Sequence, residues 1–268
     1  MPERLYDGRV VLVTGGTRGI GLATAMMFGR HGARTVLTYR WGSADEGEVR
    51  ARFETVGAPP PLMLEADVAN GDDTQRLFTT LKERCSRLDA FISNASAAVT
   101  VQSVADLTER AFMQSIRATA WPTVDYTLAC KQHIGHYPRY VVVMSSDGPD
   151  RFTPAYDFVA SGKAAAESLA RYLAYRLRHD GVRVNVLRSR AIKTESFGET
   201  FGNDFYGFLR RFVPDSWFMT AEEVARAAFG LCSGMFDAMN GQVLMADRGN
   251  SFADGISLLY ERREELGL

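Results

Sequence analysis

Tyr156 and Lys163 are the residues of this chain whose types and spacing could most clearly perform chemistry. They stand seven residues apart in the run YDFVASGK. Seven residues is close to two helical turns at about 3.6 residues per turn, so on a helix both side chains would point to one face. An ammonium group beside a phenol favours the phenolate and lowers its pKa. The pair therefore predicts a proton or hydrogen-bond donor, unless the spacing arises by chance.

The helix that must carry this pair is predicted from Thr153 to His179. Good helix formers fill the segment, and Leu169, Leu173 and Leu177 form an apolar stripe along it. Gly181 follows its end, where glycine commonly stops a helix. Both candidate side chains would then be fixed by one rigid element.

A glycine-rich turn near the N-terminus is the second candidate site. In the run RVVLVTGGTRGIG, the segment Arg9–Thr14 predicts a buried strand, and a helical run, Leu22–His31, follows the turn. Glycines such as Gly15, Gly19 and Gly21 allow a tight turn and a close approach of backbone to a pyrophosphate at a helix N-terminus. The spacing is G-x3-G-x-G rather than the commoner G-x-G-x-x-G. We expect a nucleotide site here.

Length and composition favour one compact unit. The 268 residues fit a single large α/β domain, and 46% hydrophobic residues can fill its core. No apolar run approaches the ~18 residues of a membrane span. The formal net charge of −1 gives no global reason to expect nucleic acid. We expect one domain over residues 1–268, with neither a membrane nor a nucleic acid as partner.

The N-terminus, cysteines and histidines favour a cytoplasmic protein without a metal. The run MPERLYDGR is polar, unlike a signal peptide. Cys85, Cys130 and Cys232 are far apart and odd in number, which favours reduced packing residues. His133 and His136 are three residues apart, but no third ligand is in sight, so no metal site is predicted.

Apolar strand-like runs alternate with helical runs along the chain. The further predicted strands are Thr35–Tyr39, Leu62–Glu65, Ala90–Ser93, Tyr140–Met144, Arg183–Leu187 and Val243–Met245. The further predicted helices are Asp45–Thr55, Asp72–Arg84, Thr108–His133 and Ala221–Gly230. This alternation requires parallel pairing with right-handed crossovers, and uniformly apolar strands indicate a sheet covered on both faces. The predicted fold class is α/β, a Rossmann-type doubly wound parallel sheet of about seven strands.

Several motifs, in order, resemble those of the short-chain dehydrogenase/reductase family over nearly the whole chain. They are TGGTRGIG, Asp67-Val68, the SNAS run with Asn94-Ala95, Ser145-Ser146, Gly241-Gln242 and Asp247-Arg248-Gly249. The resemblance implies the Rossmann-type fold and a nicotinamide cofactor. It also implies that Asp67 and Val68 contact adenine, and that Ser146 stands where the family keeps its catalytic serine.

The resemblance also implies which residues hold the cofactor. Lys163 would hold the hydroxyls of the nicotinamide ribose, and Thr194 would contact the nicotinamide amide. The full set expected at the cofactor is Gly15, Thr17, Arg18, Gly19, Ile20, Gly21, Arg40, Asp67, Val68, Asn94, Ala95, Lys163, Ile192 and Thr194.

The departures from the family pattern are informative. Most members read Y-x3-K, but the residue four before Lys163 is Val159, and Tyr156 stands three positions earlier. This Y-x6-K spacing resembles the enoyl-acyl-carrier-protein reductase branch, in its NADPH-dependent form. Arg117 stands where the family has a helix asparagine, and Ser189-Arg190 replace its proline-glycine after the sixth strand.

The shifted tyrosine fits reduction of an enoyl thioester. Hydride addition to the β-carbon gathers negative charge on the thioester oxygen, farther from the nicotinamide than a reacting ketone would be. A shift of almost one turn moves a Cα by roughly 5 Å along a helix on nearly the same face. In this interpretation Tyr156 stabilises the enolate, Lys163 anchors the ribose, and Ser146 orients substrate or lysine.

Two arginines favour NADPH over NADH. Arg18 lies in the glycine turn and Arg40 follows the second strand, where an acid would hold the ribose 2′-hydroxyl of NAD. Guanidinium groups bind a phosphate through paired donors. Either arginine could instead be an ordinary surface charge.

An aromatic insertion at residues 195–219 suggests the substrate. Phe197, Phe201, Phe205 and Tyr206 are the substrate candidates, in the segment that the family uses as its substrate loop. Such a loop could close over an acyl chain, or its aromatics could pack its own helices or an oligomer contact. Basic residues nearby could meet phosphopantetheine, an acidic carrier protein or the cofactor pyrophosphate; they are Arg188, Arg190, Lys193, Arg210 and Arg211.

The function predicted is NADPH-dependent reduction of an α,β-unsaturated acyl thioester of fatty acid or polyketide type, whether free, on coenzyme A or on a carrier protein. One alternative is a carbonyl reductase whose shifted tyrosine still reaches a ketone. Another is a non-catalytic NADPH-binding regulator or scaffold, suggested by the departures at Arg117, Val159 and Ser189-Arg190. Related proteins pack their long helices in tetramers, so a homo-oligomer, dimer or tetramer, is expected.

Overall fold

Seven parallel strands form one sheet at the centre of the protein. The computed structural model describes residues 4–42, 44–97, 99–192 and 203–267, without the side chains of residues 203 and 205. The strands are β1 Val10–Val13, β2 Arg34–Tyr39, β3 Leu62–Glu65, β4 Ala90–Ser93, β5 Tyr140–Ser146, β6 Arg183–Ser189 and β7 Val243–Ala246. Their order is β3-β2-β1-β4-β5-β6-β7, with every pair parallel. The predicted doubly wound sheet is confirmed.

Helices cover both faces of this sheet. They are α1 Gly19–Arg30, α2 Glu46–Thr55, α3 Gly71–Arg84, α4 Glu109–Ser115, α5 Trp121–Ile134, α6 Asp157–Arg176, α7 Asn203–Leu209, α8 Ala221–Leu231 and α9 Gly255–Glu261. Val10 and Leu12 of β1 pack with α3, α5 and α6, whereas Val11 and Val13 pack with α1, α2 and α8. Because successive strand side chains point to opposite faces, a strand buried on both sides must be apolar throughout.

The strand order reverses beside β1. Val11 pairs with Thr35 of β2 on one side and with Ala90 of β4 on the other. The two connections leave in opposite directions, so a crevice opens at the carboxyl ends of these strands. This is the edge where the glycine turn and the residues that follow β4 and β5 meet.

The predicted helix from Thr108 to His133 contains an irregular turn. Between α4 and α5, residues Ile116–Ala120 form a π-helical turn, and the Trp121 N–H donates to the Ile116 carbonyl. Pro122 has no N–H to give to the preceding turn, which accounts for the local widening. The regular periodicity on either side gives no sign of it.

The predicted helix from Thr153 to His179 begins later than expected. Its α-helical part, α6, starts at Asp157, and Tyr156 is its N-cap residue. Ala155 has a φ of 62°, in the left-handed region that a helix cannot contain. Pro154 and this left-handed residue therefore keep residues 153–155 out of the helix. No helix in the described ranges is both long and apolar enough to cross a membrane.

Candidate active site

The glycine turn between β1 and α1 is packed too closely for side chains. A Cβ built on Gly21 would lie 2.2 Å from the Gly15 carbonyl oxygen and 2.6 Å from Nδ2 of Asn94. Arg18 is the N-cap residue of α1, and its side chain caps none of the first-turn N–H groups. Free N–H groups and the helix dipole make this end suited to an anion.

Asn94 and Thr14 join the glycine turn to the end of β4. The Asn94 side-chain amide donates to the carbonyls of Thr14 at 2.9 Å and Gly15 at 3.2 Å. The Thr14 hydroxyl accepts the backbone N–H groups of Asn94 at 3.0 Å and Ala95 at 3.1 Å. These hydrogen bonds fix the glycine turn, so Asn94 helps to set the shape of the crevice.

Arg40 and Asp67 approach each other beyond the ends of β2 and β3. Nη1 of Arg40 lies 3.5 Å from Oδ2 of Asp67, and its guanidinium stacks over the Trp41 ring at 3.9 Å. The Arg40 side chain is 48% exposed, so it remains accessible to a ligand. Val68 is buried in the core. The structure therefore brings Arg40 and Asp67 together and leaves Val68 little exposed surface.

Tyr156 and Lys163 are both attached to the carboxyl end of β5. The Tyr156 hydroxyl donates to the Ser146 hydroxyl at 3.3 Å. The Lys163 ammonium donates to the Met144 carbonyl at 3.0 Å, two residues earlier on the same strand. Val159 is buried and offers no polar atom. Tyr156 and Lys163, which the sequence pairs at one site, are thus both hydrogen-bonded to β5.

Burial sets the protonation of both groups. It lowers the pKa of Lys163 to about 8, and the Glu167 carboxylate opposes this shift. Burial also raises the pKa of Tyr156; its hydrogen bond with Ser146 opposes this rise and the Asp147 carboxylate adds to it. The expectation that Lys163 lowers the pKa of the phenol is wrong, because desolvation dominates. Tyr156 is a protonated donor at neutral pH.

A buried ion pair lies one turn beyond Lys163. Both carboxylate oxygens of Glu167 accept from Arg188, from Nε and Nη2 at 2.7 Å each, and Oε1 also accepts from the Ser145 hydroxyl at 2.6 Å. Arg188 also contacts Asp150. Sequence reasoning missed Glu167, although an acid four residues after Lys163, on the apolar side of the helix, was a visible signal.

The basic residues proposed to meet phosphopantetheine or pyrophosphate are largely paired within the protein. Arg188 is held by Glu167 and Asp150, Arg190 lies 3.1 Å from Asp147, and Arg210 lies 2.6 Å from Asp215. Arg188 is buried. Its role is therefore structural, which corrects the expectation that it meets a ligand.

A cavity of about 280 Å³ adjoins Tyr156, lined by residues of the loop between β5 and α6. Of the predicted substrate residues, Tyr206 packs on Phe218 with ring centroids 4.6 Å apart. Phe197, Phe201 and Thr194 lie outside the described residues, as does the side chain of Phe205. Ile192 is buried and bridges to Met219.

The residues present fit a dinucleotide cofactor. The tight turn at Gly21, the uncapped start of α1 and the arginine beyond β2 lie along one edge of the sheet. Buried Lys163 is bonded to the carboxyl end of β5, at the same side of the sheet. An anionic pyrophosphate matches the first two features, and ribose hydroxyls match an ammonium donor.

Known proteins resemble this chain over most of its length. The family model described as enoyl-(acyl carrier protein) reductase matches residues 15–251. A 1-cyclohexenylcarbonyl-CoA reductase of Streptomyces collinus is 30% identical, over 91% of this chain and 87% of its own. A 3beta-hydroxysteroid dehydrogenase 1 of Eggerthella lenta is 28% identical, over 94% of this chain and 98% of its own.

Structural similarity agrees with these relatives. The crystal structure of the enoyl-[acyl-carrier-protein] reductase (NADH) of Aquifex aeolicus superposes with a TM-score of 0.81 at 26% identity, covering 93% of this chain and 98% of that one. The relatives thus include reductases of enoyl groups and enzymes of hydroxyl or keto groups, on one fold. This chain belongs to the short-chain dehydrogenase/reductase family of oxidoreductases, within the group described by the enoyl-(acyl carrier protein) reductase model.

Proposed function

We propose that this oxidoreductase uses NADPH to reduce α,β-unsaturated acyl thioesters of fatty acid or polyketide type. The observation that carries the proposal is the place of the phenol. Tyr156 reaches Ser146 from the N-cap of α6, while buried Val159 occupies the position of the family's usual acid. The donor therefore stands almost a turn farther from Lys163 than in a Y-x3-K enzyme.

Tyr156 serves as the donor to the thioester oxygen. When bound, the nicotinamide cofactor supplies hydride for the β-carbon of the substrate. The negative charge that then develops on the thioester oxygen is stabilised by the Tyr156 O–H, which its raised pKa keeps protonated. One preorganised donor of this kind is worth about 3–4 kcal/mol of barrier. Ser146, bonded to the same phenol, orients it.

Lys163 holds the ribose of the cofactor. Its ammonium has three donors, of which Met144 accepts one, so donors remain for two ribose hydroxyls. Its burial at the end of β5 fixes those donors in direction. Asn94 and the glycine turn support the pyrophosphate side of the same site.

The preference for NADPH rests on Arg40, with Arg18 at the start of α1. Arg40 is accessible and flanks Asp67, and no acid ends β2, whose last residue is Tyr39. A 2′-phosphate would draw the guanidinium away from Asp67, because a dianionic group binds it more strongly than one carboxylate does. The Aquifex relative is named for NADH, so the proposed preference rests on these arginines and takes no support from that relative.

The substrate surface is proposed to lie between the cavity at Tyr156 and the aromatic segment. Tyr206 and Phe218 form an apolar pair within the aromatic segment, and Phe197, Phe201 and Phe205 belong to the same stretch of sequence. An acyl chain would be shielded from water on this side. Arg211 is exposed and could meet the phosphate of a carrier arm.

We also propose a homo-oligomer that packs through α5 and α6. Leu128 on α5 and Tyr172 and Tyr175 on α6 are large apolar side chains that stand exposed. Large exposed apolar side chains on neighbouring helices favour association. Analytical ultracentrifugation of the protein would show dimers or tetramers.

A carbonyl reductase is the second candidate. The Tyr156 hydroxyl could also donate to a ketone oxygen, and the Eggerthella relative is named as a hydroxysteroid dehydrogenase. A non-catalytic cofactor-binding module is the third, because Arg117 and Arg190 depart from the family pattern.

Substrate panels and one substitution separate these candidates. NADPH oxidation is followed with crotonyl and longer enoyl thioesters beside β-keto thioesters. Tyr156→Phe should lower kcat on the enoyl series about 100-fold or more, while NADPH affinity stays within about twofold. Tyr260→Phe, at an exposed tyrosine of α9, is the matched control.

The outcomes are distinct. Turnover on β-keto thioesters alone would assign a carbonyl reductase. NADPH binding without turnover on either series would favour the module. Full activity of Tyr156→Phe would show that another residue supplies the donor.

A further inference from the structure

Two arginines at the end of β6 each hold an acid of the loop that leads to Tyr156. This loop, residues 147–156, joins β5 to α6 and is here called the tyrosine loop. Arg188 of β6 contacts Asp150, and Arg190, just beyond β6, lies 3.1 Å from Asp147. Neither contact follows from the family pattern, in which proline and glycine follow the sixth strand.

Arg188 connects the tyrosine loop to α6. Its Nε and Nη2 bind both oxygens of Glu167 on α6, four residues after Lys163, while its Nη1 contacts Asp150. Arg188 and Glu167 are both buried, and the Ser145 hydroxyl completes the carboxylate's bonds. A planar guanidinium bound on two sides fixes strand, helix and loop relative to one another.

Arg190 holds the first residue of the loop. Its guanidinium contacts the Asp147 carboxylate and also approaches the ring of Trp217, whose centroid is 5.4 Å away. Asp147 directly follows Ser146, the partner of the phenol. The Asp147 side chain is only 14% exposed, so its charge is weakly screened and needs a neighbouring cation.

The tyrosine loop in turn determines where the phenol lies. The Gly148 N–H donates to the Ser146 hydroxyl at 3.3 Å, and Gly148 packs directly on the Tyr156 ring. Ala155 at a φ of 62° directs the chain into Tyr156. A non-glycine residue in this conformation persists only where surrounding contacts hold it. The loop therefore needs contacts with residues outside it to keep this conformation.

We propose that Arg188 and Arg190 are positioning residues, which hold the tyrosine loop by Asp150 and Asp147 and so keep the Tyr156 hydroxyl at Ser146. The inference rests on the proposed role of Tyr156. Under it, the Ser189-Arg190 departure supports the shifted tyrosine instead of marking a lost activity. Arg190 also balances the Asp147 charge beside the phenol.

Arg190 is the better residue to test, because loss of buried Arg188 would leave Glu167 unpaired and could prevent folding. The variants are Arg190→Gln, Asp147→Asn and the double substitution. Arg190→Lys keeps the charge. Arg87→Gln removes a matched ion pair with Asp89, just before the amino end of β4, and is the control. Tyr156→Phe is measured beside them.

Two readouts are needed. The first is kcat and KM on crotonyl thioester together with NADPH affinity. The second is the titration midpoint of the Tyr156 phenol, followed by ¹³Cζ-tyrosine NMR of the NADPH complex and assigned by Tyr156→Phe. Asp147 is the charge that acts directly on the phenol. The other charged residues near it are Asp150, Arg151 and Asp157 of the adjoining cavity, Lys163 on α6, Arg190, and Asp247, which interacts with Arg190.

The two single substitutions should shift the titration midpoint of the Tyr156 phenol in opposite directions. Arg190→Gln leaves the Asp147 charge unbalanced, so the midpoint should rise by about half a pH unit or more. Asp147→Asn should lower it, and the double substitution should return it towards the wild-type value. Turnover in Arg190→Gln should fall about tenfold or more, with NADPH affinity within about twofold, and Arg190→Lys should recover part of the loss. A purely structural role would not reverse the midpoint in the double variant.

Failure of each idea looks different. If Tyr156→Phe is inactive while Arg190→Gln and Asp147→Asn both behave like Arg87→Gln, the positioning role is overturned and the proposed function stands. If Tyr156→Phe is fully active, the proposed function is overturned, and the NMR midpoints alone decide whether Arg190 acts on the phenol.

Discussion

Gly148 lies against the ring of Tyr156, so closely that a Cβ on Gly148 would stand 2.7 Å from Cε1 and 2.8 Å from Cδ1 of the phenol. The backbone of Gly148 is not in the left-handed region, so alanine could adopt it. The glycine is therefore required by the ring beside it. An added methyl group would displace the ring, since a side chain moves more easily than the backbone.

Gly148→Ala should separate catalysis from folding. The methyl group would push the Tyr156 hydroxyl away from Ser146, and turnover on an enoyl thioester should fall about tenfold to 100-fold. The free energy of unfolding should change by only about 1 kcal/mol, at the low end for an overpacked site. Steady-state kinetics and urea denaturation of the same preparation measure both quantities.

Gly255→Ala is the matched control, because a Cβ there meets no atom within 4 Å and its φ is not positive. This variant should keep both turnover and stability. Equal turnover in Gly148→Ala and Gly255→Ala would mean that the position of the phenol ring does not limit the reaction.

The pKa of Lys163 predicts a pH dependence of stability. The pKa is lowered to about 8 in the folded protein, against 10.5 for an ordinary lysine. Between these values the unfolded chain binds more protons than the folded one, so stability rises with pH across this window. Below about pH 8 the cost of the buried charge is fully present. Relative to Lys163→Met, the wild-type protein should therefore gain stability as pH rises from 8 towards 10.5.

The size of this relative gain is on the order of 3 kcal/mol at most, from the difference between the two pKa values. Urea denaturation of both proteins at pH 7.5, 8.5 and 9.5 measures it, and other titrating groups cancel in the comparison. Lys82→Met, at an exposed lysine of α3, should run parallel to the wild type at every pH. A Lys163→Met curve parallel to the wild type would show that the lysine is not buried in solution.

The limits of sequence reasoning are clearest at the carboxyl ends of β5 and β6. The predicted strands stopped at Met144 and Leu187, where the apolar residues stop, but both strands continue for two residues. Ser145 pairs with Arg188 and Ser146 with Ser189 in the extended part. The residues added at these strand ends are polar, so the apolar pattern that identifies the rest of each strand cannot reveal them.

Contacts between residues on different elements could not be predicted from the sequence for another reason. Residue types and spacing pointed to Tyr156 and Lys163, and the family resemblance pointed to Ser146, because each signal lies within one local segment. Their catalytic roles stay predictions. The pairing of Glu167 with Arg188 joins a helix to a strand, and nothing in either local segment specifies the other. The direction of the Tyr156 pKa was missed similarly, since desolvation depends on tertiary packing.

Arg40 provides the test of cofactor preference. Its guanidinium lies 3.5 Å from Asp67 and stacks on Trp41, which holds it beyond β2, at the proposed site of the ribose 2′-phosphate. Arg40→Ala should weaken NADPH about tenfold, a modest value because the side chain is half exposed, and should leave NADH affinity within about twofold. Fluorescence titration with both cofactors measures this ratio. Arg52→Ala, at an exposed arginine of α2, should change neither affinity. Equal losses for the two cofactors would remove Arg40 from the phosphate site and leave Arg18 to account for any preference.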